Sequence, residues 1–205
     1  MIQLFAHPYS SNSRKVHWAL EELGLEYEYV LVDLVKGAQK QPEFFALNPN
    51  GRVPVVVDGD LRLYESNAIL LHLAARYGQG KLAAGNEIEA ALVNQWLFVQ
   101  AFDLQPFLQA AFVAKFFASL GKPFDAEGHA RALAKLPRAL AVLDAHLAGK
   151  SFVVGEHFTV ADIALAEPIG LAEFAACDLD GYPNIRAWFN GLSARPAFVK
   201  TRPKA

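Results

Sequence analysis

Two short stretches of this chain carry side chains that could do chemistry. The first is Ser10-Ser11-Asn12-Ser13, three hydroxyls and one carboxamide in a row. Such residues cap helix N-termini by accepting from backbone N–H groups. Their own O–H and amide N–H groups can also donate to an anion, and a helix N-terminus adds partial positive charge there. The second stretch is Glu65-Ser66. A hydroxyl and a backbone N–H at a helix start suit a carboxylate, and the neighbouring Glu can accept from an ammonium group. The plainer reading of this pair is an N-cap with an acidic neighbour. Between the two stretches, Val53-Pro54 puts a proline at the start of an apolar run.

The elements that hold these residues follow from hydrophobic pattern. Ile2 to Phe5 is an apolar run stopped by His7-Pro8, which predicts a buried strand. After the Ser10–Ser13 cap, Val16, Ala19, Leu20 and Leu23 recur at helical spacing, and Gly24 closes the helix. Tyr27 to Val32 reads as a second strand. Strand, helix, strand with short connections is a βαβ unit with parallel strands. Lys40 to Leu47 predicts a short helix and Asn48-Pro49-Asn50-Gly51 a turn. Val53 to Val57 is a strand, Asp58-Gly59-Asp60 a hairpin turn, and Leu61 to Tyr64 the returning strand. Helical spacing resumes at Ser66, with Leu70, Leu73 and Tyr77 on one face, and ends at Gly78. The first 78 residues are thus α/β, in the order βαβαββα.

Residues 79–85 are small and polar, as in a linker, and 86–205 show only helical patterns. A long one runs from about Glu87 to Leu120, rich in Phe and Ala. Another runs from Asp125 to Leu147, and Pro137 should kink or restart it. Others begin at Thr159, after Pro183 and near Pro196. Thr159-Val160-Ala161-Asp162 reads as a capping box with Asp in the closing place, flanked by Phe158 and Ile163 as a hydrophobic staple. That is a folding element with no catalytic part. Trp96, Phe98, Phe102, Phe107, Phe112, Phe116 and Phe117 crowd the long helix. Such stripes are more often core than pocket, and rings the core does not take can line an apolar site.

Composition excludes several classes. Of 205 residues 53% are hydrophobic, enough for a sizeable core. A net charge of −2 offers no basic patch for nucleic acid. Cys177 stands alone, so no internal disulfide forms, which fits a reducing, cytoplasmic setting. It reads as a small buried hydrophobe rather than a nucleophile. The N-terminus lacks the basic flank and apolar stretch of a signal peptide. The apolar segment Ile163 to Cys177 is interrupted by Glu167, Pro168 and Glu173, so no membrane span is expected. The histidines at 7, 17, 72, 129, 146 and 157 show no metal-ligand spacing.

Four motifs in order carry a resemblance. They are His7-Pro8-Tyr9-Ser10, Asn48-Pro49-Asn50-Gly51-Arg52-Val53-Pro54, Glu65-Ser66-Asn67-Ala68-Ile69 and Phe158-Thr159-Val160-Ala161-Asp162. Together with the element order, they make the chain resemble the serine-type cytosolic glutathione S-transferases, theta/phi-like or a related bacterial class, over nearly its whole length. The resemblance implies a thioredoxin-like domain over 1–78, a linker over 79–85, and an all-helical domain over 86–205 that contributes an electrophile pocket. It implies glutathione as co-substrate without a metal, a small hydrophobic electrophile as partner, and a cytoplasmic homodimer active in detoxification.

The same resemblance implies residue roles. Ser10 donates to the glutathione sulfur, favours the thiolate and so lowers its pKa. Ser11 and Asn12 share that loop and compete for the contact, while Tyr9 suits a wall of the second-substrate pocket. Val53, ahead of a cis Pro54, pairs its main chain with the cysteinyl backbone. Glu65 and Ser66 take the two charges of the γ-glutamyl end. Lys40 meets the glycyl carboxylate, with Arg52 a weaker alternative. Ser10 and Ser13 stand where a thioredoxin-like Cys-x-x-Cys pair would, which excludes a dithiol mechanism on this loop. Phe5 stands where tyrosine-type members keep a hydroxyl. The leading function is conjugation of the glutathione thiolate to hydrophobic electrophiles. The alternatives are a glutathione-dependent peroxidase or disulfide-bond reductase, and a non-catalytic binding module.

Overall fold

The computed structural model describes residues 1–203. They fall into two compact units, Met1–Ala83 joined by the segment from Arg195, and Ala84–Ala194.

The first unit is built on a four-stranded sheet of order β2-β1-β3-β4. Strand β1 (Ile2–Ala6) pairs in parallel with β2 (Tyr27–Leu31), with Ile2 opposite Tyr27. It pairs antiparallel with β3 (Val55–Asp58), which forms a hairpin with β4 (Leu61–Tyr64). The parallel pair follows from the crossover helix α1 (Ser11–Leu23), and the hairpin from the two-residue turn at Gly59-Asp60. Gly24 ends α1 in the left-handed region at φ 65°, where its N–H meets the carbonyls of Leu20 and Glu21. Helix α2 (Pro42–Phe45) is short, and α3 (Ser66–Tyr77) packs against α1.

Strand β1 alternates as a sheet with two covered faces requires. Ile2, Leu4 and Ala6 are buried, and Phe5 packs on a separate cluster of Val32, Phe44 and Val55. Phe5 therefore serves as core. Strand β3 begins at Val55, two residues later than the pattern suggests, because Pro54 has no N–H to place in a ladder. The Val53–Pro54 peptide is cis. The loop before it is held by Asn48, whose Nδ2 donates to the Arg52 carbonyl at 2.7 Å and whose Oδ1 accepts from the Asn50 N–H at 2.9 Å. At Gly51 a Cβ would stand 2.9 Å from the Phe45 ring, and φ is +59°, so only glycine fits.

The segment from Arg195 clusters with the first unit, although it follows the helices in sequence. Helix α9 (Pro196–Lys200) lies on α1, with Phe198 meeting the buried Trp18 edge-on at 4.9 Å. Arg195 Nε and Nη2 donate to the two Glu22 oxygens at 2.7 and 2.8 Å, and Lys200 Nζ donates to Glu21 at 2.6 Å. These partners outweigh adjacency in the chain, so the segment belongs with the sheet.

The second unit is helical. Helices α4 (Glu87–Val99) and α5 (Gln105–Ser119) are joined by a π-helical turn over Gln100–Leu104. The single helix read from the sequence is therefore interrupted. Pro106 lacks an N–H and its ring would press on the carbonyl four residues back, and the wider π turn relieves both. Helix α6 (Ala126–His146) runs along α5 and continues through Pro137 without restarting. Helix α7 (Val160–Ile169) is buried at all ten positions, the mark of a central helix. Helix α8 (Pro183–Ser193) packs on α6 and α7. By length and composition alone the 33-residue run Glu87–Ser119 could cross a membrane. Here its buried stripe, which includes Val93, Trp96, Leu104 and Leu108, belongs to a run that packs against α6 and α7.

Candidate functional site

The start of α1 is organised by its own serines. Ser10 is the N-cap, and its Oγ accepts from the Ser13 N–H at 3.2 Å. Its N–H donates to the His7 carbonyl at 3.0 Å, and the Ser13 Oγ accepts from the His7 N–H at 3.2 Å. Capping occupies a lone pair on Ser10 Oγ and leaves the O–H proton for another acceptor. A cap and an anion donor are therefore compatible in one hydroxyl. Ser11 is buried, whereas Asn12 is half-buried. Tyr9 is exposed, and its N–H donates to His7 Nδ1 at 3.3 Å. Burial holds the His7 imidazole below its usual pKa, with Asp33 opposing weakly, so the ring is neutral near pH 7.

The start of α3 is built differently. Glu65 is its N-cap, at φ 69°, and its side chain makes no capping bond. A non-glycine residue held there stores strain of about 1–3 kcal/mol. Its side chain is exposed, and the first turn of α3 carries no acid. Ser66, buried, donates from Oγ to Asn12 Oδ1 at 3.2 Å. Ser66 is thus not the cap itself. Its hydroxyl links the two helix starts.

A third residue completes that link, and sequence reasoning passed over it. Lys15, 1% exposed, donates from Nζ to Asn12 Oδ1 at 2.9 Å and reaches Ser66 Oγ at 3.5 Å. One signal was available. Lys15 follows Ser11 by four and precedes Ala19 by four, so it lies on the buried stripe of α1. That helix has no acid in its first turn to offset a cation.

The other expected residues enter none of these bonds. Val53 lies ahead of the β3 ladder, and its backbone takes no part in the strand pairings. Lys40 is exposed at the end of a 3-10 turn, Ala38–Lys40, and Arg52 is exposed nearby in sequence, its carbonyl taken by Asn48. In the helical unit, the capping box forms. Asp162 Oδ2 accepts from the Thr159 N–H at 2.9 Å, and the Thr159 Oγ1 accepts from the Ala161 N–H at 3.3 Å. Asp162 Oδ1 also accepts from the Val153 N–H at 2.8 Å and from Trp188 Nε1 at 3.0 Å. Cys177 is half-buried, and burial with the Asp178 charge pushes its thiol up, so it is a poor nucleophile. Among the described residues, no group of three His, Cys, Asp or Glu side chains is placed to hold a metal.

Comparison with known proteins agrees with this architecture. Residues 1–75 match the model of the glutathione S-transferase N-terminal domain, and 107–196 that of the C-terminal domain. The chain is 38% identical to glutathione S-transferase 3 of Zea mays, over 98% of its own length and 92% of the relative's. The crystal structure of glutathione transferase F7 from Populus trichocarpa superposes with a TM-score of 0.90 at 29% identity, covering 98% and 97% of the two chains. A glutathione transferase family member from Pseudomonas fluorescens Pf-5, solved with two glutathione bound, gives 0.88 at 33% identity, covering 98% and 91%. A two-unit chain with this sheet, these paired helix starts and these matches belongs to the glutathione S-transferase family.

Proposed function

We propose that this family member binds glutathione at the paired starts of α1 and α3 and conjugates its thiolate to hydrophobic electrophiles. The observation that carries the reading is the 3.2 Å hydrogen bond from Ser66 to Asn12. It brings together two helix N-termini, neither with an acid in its first turn. Two positive dipole ends side by side favour an anion. Glutathione offers carboxylates and, once ionised, a thiolate.

In this reading Ser66 takes the γ-glutamyl carboxylate through its backbone N–H, its hydroxyl proton being given to Asn12 Oδ1, and the exposed Glu65 takes the ammonium. The main chain of Val53 pairs with the cysteinyl backbone, and Lys40 meets the glycyl carboxylate, with Arg52 as the alternative. The Ser10 O–H donates to the sulfur and holds it as thiolate. Asn12 supports this from its amide, and Ser11 through its backbone N–H, since its side chain is buried. The thiolate then forms a C–S bond as the leaving group departs with the electron pair. Orientation and charge stabilisation supply the rate. In the helical unit Phe112 lies 5.9 Å from Phe116 in parallel and 5.0 Å from Phe174, a group suited to a flat apolar electrophile. Ile88, Phe98 and Phe102 are exposed along α4 and the π turn, which supports pairing of two copies in a homodimer. The lone cysteine supports a cytoplasmic setting.

A second reading is glutathione-dependent disulfide reduction, in which the same thiolate attacks an S–S bond. It is favoured by the Pseudomonas relative solved with two glutathione molecules. One panel separates them: glutathione with an aryl halide, an organic hydroperoxide and a small disulfide. Conjugation predicts turnover of the aryl halide above the others. Turnover of the disulfide alone selects the second reading. No turnover together with no glutathione binding by calorimetry overturns both.

A further inference from the structure

A buried cation near two helix N-termini is electrostatically misplaced unless something uses it. Helix α1 places Arg14 and Lys15, both buried, in its second turn and no acid in its first. Positive charge there opposes the helix dipole. Burying an ammonium also costs solvation that hydrogen bonds must offset. Lys15 Nζ makes its 2.9 Å bond to Asn12 Oδ1, the same oxygen that accepts from Ser66 Oγ at 3.2 Å.

The chemistry of these donors fixes the direction of the Asn12 amide. An ammonium has three donors and no acceptor, so the Asn12 atom facing it must be the oxygen. Ser66 spends its proton on the same oxygen. Both lone-pair directions of Oδ1 are then taken, and the amide can serve a ligand only through its Nδ2 hydrogens. We propose that Lys15 is a positioning residue: it locks Asn12 with Nδ2 as an anion donor and biases the cluster towards a bound thiolate and carboxylate. This rests on the glutathione reading above. Without the cation, the Asn12 amide can flip and present its oxygen, which repels an anion. The Ser66 hydroxyl loses its fixed acceptor at the same time.

The test has a ligand-free arm and a ligand arm. In the unliganded wild-type protein, the Lys15 15Nζ resonance should be visible and slow to exchange at neutral pH, and the Asn12 side-chain NH2 should give one set of signals. A fast-exchanging Lys15 ammonium overturns the proposal whether or not glutathione binds. In the ligand arm, Lys15→Met should weaken glutathione binding about tenfold or more and raise the pKa of the bound thiol. Lys15→Arg, which keeps a buried donor cation, should restore most of both. In an Asn12→Ala background, Lys15→Met should leave the thiol pKa where Asn12→Ala alone puts it. A purely packing role would lower Tm in Lys15→Met and leave the thiol pKa unmoved, and that result rejects the proposal. An equal pKa rise in the presence and absence of Asn12 rejects it too. If wild-type protein binds no glutathione, the glutathione reading fails, and the ligand-free arm still decides how Asn12 is held.

Discussion

Two helix starts in this molecule are treated in opposite ways. The start of α7 is closed by its own side chains. Thr159 and Asp162 cap it, and Asp162 also gathers the Val153 N–H and the Trp188 indole, all away from water. The start of α3 is left open, with a strained Glu65 whose side chain caps nothing and no acid in the first turn. A closed start has spent its donors on folding. An open one keeps positive potential available to a ligand, at a cost in local strain. The start of α1 lies between the two, since Ser10 caps through its oxygen and retains its proton.

The largest effect should come from opening the closed start. Asp162→Ala strands two backbone N–H groups and an indole N–H in the interior, and should cost about 3 kcal/mol or more. Thermal unfolding should move down by roughly 6–12 °C, while glutathione affinity of the folded fraction stays as it was. Ser66→Ala should do the reverse: a fall in glutathione affinity of about tenfold or more by calorimetry, with Tm shifted by no more than about 2–4 °C. If Ser66→Ala is as destabilising as Asp162→Ala, the contrast between the two starts is wrong. Ser10→Ala should show both faces in smaller measure. The lost cap costs about 1 kcal/mol, and the bound-thiol pKa, followed by thiolate absorbance, should rise by about one unit. An unchanged pKa with the stability loss would make Ser10 a cap alone.

The smallest effect concerns the far end of α1. Burial pushes the Glu22 carboxyl up, but hydrogen bonds from Arg195 and Trp18 more than offset it and hold the carboxyl below its usual range. A depressed carboxyl pKa means the unfolded chain binds the proton first as pH falls. Its stabilisation is therefore present above the unfolded value and lost as pH drops through the folded one. Arg195→Ala should flatten that part of the acid limb, by under about 1 kcal/mol because the guanidinium is partly solvated. Stability measured by denaturant titration between neutral pH and the acid limb would check it.

What could be read from the sequence divides along the range of the interactions. The βαβ-ββα order is written in local signals, such as Gly24 after the last apolar position of α1 and the Asp58-Gly59-Asp60 turn. The capping box was readable because its partners lie three residues apart. The Lys15–Asn12–Ser66 cluster was not, since Lys15 and Ser66 stand 51 positions apart and nothing local announces a buried lysine's partner. The π turn was missed although Pro106 stands in plain view, because a proline near a helix start is equally compatible with an ordinary first turn. Pro137 lies inside α6, which runs on through it as one helix. The return of Arg195 to Glu22, 173 positions away, leaves no periodic trace at all.

That return contact has a consequence for synthesis. A chain leaving the ribosome exposes the sheet and α1 first, and the whole helical unit follows before Arg195, Phe198 and Lys200 emerge. Until then the ring face of Trp18 that Phe198 later covers has no partner from that segment, and Glu21 and Glu22 lack their cations. Domains usually fold in order as they are made. Here the sheet-bearing unit receives this brace late, so a nascent chain that has not reached Phe198 leaves that part of Trp18 without its later cover.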